Sequence, residues 1–123
     1  KDVDNPARHA YTKSFSLSGS PNTMFTGSDT VPAGKQLVIE YVSAFAQPPP
    51  GTSCKVFVYP VKPGAGAQAL FVLPGEGPTD EMIVSRTVRI YVNPEWSYYV
   101  ATVCNGNIWG TQISVSGYMV DVP

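Results

Sequence analysis

The sequence predicts an all-β protein: a single antiparallel β-sandwich, jelly-roll or immunoglobulin-like, of seven or eight strands. Three observations carry this expectation. Twelve prolines and eleven glycines cut the 123 residues into short runs that leave little room for helix. The runs are rich in Val, Ile, Tyr, Phe and Thr, which fit a pleated, half-buried surface. Turn signals recur about every 8–15 residues, the spacing of short strands in an all-β domain.

The elements follow in order. Residues 1–10 carry Lys1, Asp2, Asp4, Arg8 and His9, with only Val3, Ala7 and Ala10 as modest apolar groups. They cannot form a core of their own, so they read as an extended N-terminal arm before a sandwich domain at 11–123. In "YTKSFSLS" (11–18), Tyr11, Phe15 and Leu17 alternate with Thr12, Ser14, Ser16 and Ser18, the pattern of a strand with one apolar face. Residues 18–30 and 47–53 read as loops. A "VPAGK" turn (31–35) opens a strand at 36–46, and further strands are expected at 54–61 and 67–73.

The longest uninterrupted stretch, "TDEMIVSRTVRIYVN" (79–93), needs a choice. As a helix its row Met82, Arg86, Arg89, Asn93 is polar where a core face is needed. As a strand, Met82, Val84, Val88, Ile90 and Val92 share one face, with Arg86 the exception. It is a strand. Two more follow at 96–104 and 108–122, the last broken or bent at Gly117.

Between them, Asn105-Gly106 signals a tight hairpin, since a type I′ turn needs positive φ at both central positions. The implied register sets Trp96 opposite Val115, Tyr98 opposite Ile113 and Thr102 opposite Trp109. The face with Ile113 and Val115 should point into the core. Both tryptophans are then mainly core, ~20 Å apart, too far to share one sugar ring. A carbohydrate platform survives through Trp109 near the turn, or through Tyr99.

Charged residues make up 14% of the chain and the net charge is −1, with no basic face to neutralise phosphates. That argues against a nucleic-acid binder. No apolar run approaches the roughly 20 residues of a membrane span. The start "KDVDNPARHA" suggests removal of a signal peptide and a secreted or cell-surface location, with a trimmed chain as the alternative. Two cysteines, Cys54 and Cys104, fit an exported chain with one disulfide; two buried thiols are the alternative.

Catalytic chemistry finds little support. His9 is the one histidine, in a segment that is a poor mount for a general base. There is no G-x-S-x-G, no C-x-x-C and no pair of histidines for zinc, and no cofactor is implied. Glu76, Asp80 and Glu81 could offer oxygens to Ca²⁺, but the calcium-loop pattern is missing, and "DVDNP" at 2–6 fails in the same way. The chain is not expected to be an enzyme.

Several strands are apolar on both faces. In 36–46, Leu37, Ile39, Tyr41 and Phe45 form one face and Val38, Val42, Ala44 and Ala46 the other. In 54–61, Cys54, Val56 and Val58 oppose Phe57, Tyr59 and Val61. An antiparallel sandwich normally wets its outer faces, so such strands need a cover, and a neighbouring copy would serve. Loops folded over one sheet are the alternative. The candidate assembly contacts are Tyr11, Phe15, Leu17, Phe57 and Tyr59, with the 1–10 arm and the 11–18 strand it joins laid along a neighbour's open edge; pairing of 11–18 within its own sandwich, with 1–10 fraying, is the alternative.

The stretch "TVPAGKQLVIEYVSA", the ending "ISVSGYMVDVP" and the opening "DVDNPAR" resemble small exported bacterial β-sandwich proteins of unknown function. The resemblance implies a secreted sandwich and brings no catalytic residues. The expected function is a non-enzymatic extracellular sandwich that self-associates as a structural or surface component, its main partner another copy of itself. A carbohydrate-binding module is the alternative, and a secreted hydrolase the weaker one.

Overall fold

A computed structural model describes residues 8–67, 71–74 and 81–122, and they form antiparallel strands without helix. The strands are β1 (Arg8–Thr30), β2 (Lys35–Ala46), β3 (Cys54–Lys62), β4 (Gly66–Ala67), β5 (Phe71–Pro74), β6 (Met82–Val92) and β7 (Ser97–Asp121). All seven join one sheet of order β4-β3-β7-β2-β6, with β1 running along β7 and β5 along β3.

That sheet curls back on itself. Thr102 and Thr111 are nine residues apart on β7, a span of ~30 Å in a straight strand. Their hydroxyls are 3.1 Å apart, so the strand must turn over between them. β1 turns with it, through register shifts between Ser18 and Met24. The long β1/β7 ribbon thus contributes to two halves. In the first, 8–18 of β1 and 110–121 of β7 lie beside β2 and β6; in the second, 24–30 and 97–104 lie beside β3 and β5. The all-β, antiparallel class expected from the sequence is what forms. Core residues lie between the halves: Leu37, Ile39 and Val42 from β2, Val56 and Val58 from β3, Ile90 and Val92 from β6, Tyr98, Ile113 and Val115 from β7.

The expected hairpin at Asn105-Gly106 is not made. Both residues are in β7, and neither has positive φ. Asn105 is instead pinned to the loop before β3: its amide donates to the Ser53 carbonyl, and its Oδ1 accepts from the Ser53 amide at 3.0 Å. Pairing with β1 and β3 replaces the local turn, so the register built on that turn is also overturned. The inward face of Tyr98, Val100, Thr102 and Cys104 is nevertheless as expected.

The 18–30 segment, expected as a loop, is the second part of β1. Its Ser, Gly, Pro and Asn content hides a strand whose half-buried positions are Phe25, Gly27 and Asp29. Gly27 makes room for a ring: a Cβ there would lie 2.5 Å from Phe15. The same strand corrects the edge-exchange expectation. Residues 8–18 pair with β7 of their own chain. Phe15 is buried, while Tyr11 and Leu17 pack partly buried against the core, so none of the three is presented for assembly. Arg8, His9 and Ala10 of the expected arm belong to β1; residues 1–7 lie outside the described residues.

A β-bulge at Glu40 reverses the phase of β2. Ile39 faces Gly117 and Tyr41 faces Ser116 on β7, leaving Glu40 between them. The inward positions are therefore Leu37 and Ile39, then Val42, Ala44 and Ala46. Tyr41 and Phe45, expected on the face of Leu37 and Ile39, point outward. Gly117 sits against the bulge, where an added Cβ would overlap the Val38 carbonyl oxygen. The strand is not broken there; the glycine admits the neighbouring backbone.

Candidate functional site

The molecule presents two outer faces of different character. On the first half, register places Ser16, Gln112, Phe45 and Ile83 in one row across the four strands. The next row is Ser14, Ser114, Ser43 and Ser85, and the next Thr12, Ser116, Tyr41 and Thr87. The three rows hold no charged side chain. Ser14 and Ser114 are hydrogen-bonded at 3.0 Å, and Tyr41 bonds Ser85 through its hydroxyl.

At the end of this face, beside the bend of β7, lies an open groove of about 530 Å³. Trp109 and Phe45 line it with Ser16, Ser18, Gln47 and Gln112. Trp109 is 61% exposed, which overturns its expected core placement. Its strand turns over just there, so the side chain leaves the face that Thr111 and Ile113 bury. Trp96 is half-buried against the core, as expected.

On the second half, Tyr99 stacks on Tyr59 at 5.6 Å and 8° between planes. Around that pair, register places Phe57 and Val72 in one row with Ala101, and Met24 and Val103 with Lys55. Met24 is 52% and Val72 43% exposed. Phe57, Tyr59 and Tyr99 are half-buried on this outer face, so Tyr99 is not near Trp109. Phe45, Gln47 and Gln112 were missed by sequence reasoning. Phe45 was assigned to the wrong face because the bulge leaves no local signature.

Between the halves, Tyr11 donates to Asp29 Oδ2 at 2.7 Å and meets the Tyr98 hydroxyl at 2.5 Å. Burial, then the bond to Asp29, raises the Tyr11 pKa, and burial raises that of Tyr98. Both phenols stay protonated at neutral pH. The cluster ties the two halves; it offers no base or nucleophile. A second tie is the contact of the Thr102 and Thr111 hydroxyls at 3.1 Å, with Thr111 in turn donating to the Phe45 carbonyl of its own half at 3.1 Å. His9 lies on the surface 3.7 Å from Asp121. The Lys35 ammonium, hydrogen-bonded to Asp121, holds that carboxyl below its usual range.

Cys54 and Cys104 face each other in register and form a disulfide, which settles the choice against two thiols. Among the described residues no group of three or more His, Cys, Asp or Glu is placed to hold a metal ion. Glu81 precedes β6, while Glu76, Asp80 and the 2–6 "DVDNP" segment lie outside the described residues.

No family model matches the chain, and no curated protein matches it. Solved structures do. The structure of infectious bursal disease virus, Gx strain, aligns with TM-score 0.59 over 93% of this chain and 32% of that one, at 15% identity. The VP2 subviral particle of infectious bursal disease virus gives 0.56 over 94% and 33%, at 13% identity. The enzymatically active domain of tailspike protein 4 from bacteriophage CBA120 gives 0.50 over 95% and 20%, at 9% identity. The chain spans a third or less of each of these chains. At such identities the likeness shows the fold alone.

Proposed function

We propose that the protein is a non-enzymatic structural β-sandwich, exported from the cell, that associates with copies of itself through the outer face of its second half. The observation that carries this reading is the apolar cluster of Phe57, Tyr59, Tyr99, Val72, Val103 and Met24 on that face, bordered on β1 by Thr26 and Ser28, where Lys55 is the one charged neighbour in register. A sheet face this apolar gains by excluding water, at roughly 25 cal/mol per Å² of apolar surface covered. A second copy suits it because two such faces meet without opposed charges, and a net charge of −1 sets up little repulsion at longer range.

Likeness in fold to the VP2 subviral particle supports a structural role. The disulfide supports an oxidising compartment outside the cytosol. Tyr11, Phe15 and Leu17 have no part in this contact. The groove supports a non-catalytic reading, since its lining carries no carboxyl or imidazole group for acid–base work.

Sedimentation velocity over a rising concentration series tests the proposal. The unaltered chain should sediment above its 13.2 kDa monomer mass. Val72→Lys and Tyr59→Ser should each return it to the monomer while keeping the β circular dichroism spectrum. A chain that stays monomeric throughout overturns the proposal, as does an assembly unmoved by both substitutions.

A further inference from the structure

The groove beside Trp109 has a chemistry that the apolar face lacks. An indole 61% exposed and a phenyl ring 41% exposed line the same open space as two glutamine amides and two serine hydroxyls. Such a lining suits a ligand with an apolar flat side and a rim of hydroxyl groups. Aromatic rings cover the C–H face, and amides and hydroxyls exchange hydrogen bonds with the rim. The groove has neither cation nor anion in its lining, so a charged ligand would find no counter-charge. It is open along the first half's outer face, where Ser14, Ser43, Ser85 and Ser114 continue the hydroxyl surface beyond it.

We propose that this groove binds a neutral glycan, with Trp109 as the platform for one pyranose ring, Phe45 as a second apolar contact, and Gln112, Gln47 and Ser16 bonding the sugar hydroxyls. The groove lies on the face opposite the proposed assembly contact, and the inference does not rest on self-association. The occupant is a sugar and not a second copy of the chain. A protein packed here would cover the exposed Tyr41, Phe45 and Ile83, but it would also bury the serine row between them, leaving hydroxyls that need new partners. A glycan brings its own hydroxyls and keeps water at the interface. Gly110 keeps the wall narrow: a Cβ there would lie 2.7 Å from the Leu17 carbonyl oxygen, so β1 and β7 approach closely beneath Trp109.

The test is isothermal titration with neutral gluco-, manno- and galacto-oligosaccharides, and an oligogalacturonide as the acidic comparison. At least one neutral series should bind in the millimolar range or tighter. Trp109→Ala should weaken binding by about tenfold or more, a loss of roughly 1.4 kcal/mol. Gln112→Ala should weaken it about fivefold, the loss of one hydrogen bond. Trp109→Phe should recover part of the affinity. Tyr99→Ala, on the other face, should leave it unchanged. Trp109 is exposed, so its variant should keep the parent's thermal transition, and that melt is run alongside. Absence of neutral-sugar binding overturns the inference. So does binding that survives Trp109→Ala, or a preference for the acidic oligosaccharide. A monomeric protein that binds the neutral sugar would leave this inference standing and remove the assembly proposal.

Discussion

The two outer faces are built on the same pair of strands, yet they arrange hydroxyl and apolar side chains differently. β1 and β7 supply Ser14, Ser16, Ser114 and Gln112 to the first half, and Met24, Thr26, Ser28, Val103 and Tyr99 to the second. The partner strands deepen the contrast. β2 and β6 add Ser43, Ser85 and Thr87 together with the exposed Tyr41, Phe45 and Ile83, whereas β3 and β5 add Phe57, Tyr59 and Val72. Overall hydrophobicity therefore says little about such a molecule; its distribution between outer faces does. One face interleaves hydroxyls with the exposed Tyr41, Phe45 and Ile83 and ends in an aromatic groove, and the other gathers its apolar side chains around the Tyr59–Tyr99 stack.

The largest expected effect lies at the end of the apolar half. Cys54→Ser with Cys104→Ser opens a 50-residue loop and should lower stability by about 4 kcal/mol on the chain-entropy estimate. Denaturant titration of both proteins measures it, with intact mass after alkylation confirming a bridge in the parent. If the apolar half is rigid only through this bridge, assembly should weaken in parallel. If assembly persists, the face is held by its strands alone.

Next comes the bulge that sets the character of the hydroxyl half. Gly117→Ala forces a methyl group against the Val38 carbonyl and should cost about 3 kcal/mol, because backbone cannot step aside as a side chain can. A denaturation midpoint unchanged by this variant would mean that β2 and β7 are not in the register described. Gly34→Ala offers a comparison, since it also loses stability but through its φ of 78° in an open turn, with nothing within 4 Å.

The smallest effect on stability sharpens the comparison most. Ser43→Val puts an apolar group in the middle of the serine row, on a surface of β-strand where valine is well tolerated. Unfolding should move by no more than about 0.5 kcal/mol. Solubility should fall and association rise, because the variant begins to copy the apolar face. An unchanged sedimentation profile would show that isolated apolar groups on this face are inconsequential, and that the Tyr59–Tyr99 pair matters as a cluster.

What the sequence by itself determined was local. The strand-rich composition, the alternation in 82–92 and the glycine turns are all legible, and each follows from one segment's own sterics and polarity. Gly34, Gly51 and Gly64 each have positive φ, each within a turn closed by a backbone bond: Lys35 to Pro32, Thr52 to Pro49, Ala65 to Lys62. Cys54 and Cys104 were pairable from their number and positions alone. Only the tertiary structure decided what depends on distant partners. Asn105-Gly106 has the composition of a hairpin, but Asn105 is bonded to Ser53, and the pairing of β7 with β1 and β3 on either side of this stretch outweighs one turn's preference. The 18–30 segment lacks strand composition, but it is an edge for β7 and needs few apolar groups of its own. Phe45 points outward because a bulge five residues earlier shifts the phase. That bulge exists because Gly117, seventy-odd positions away, lets the two backbones approach. Side-chain period is a property of one strand; register is a property of the pair.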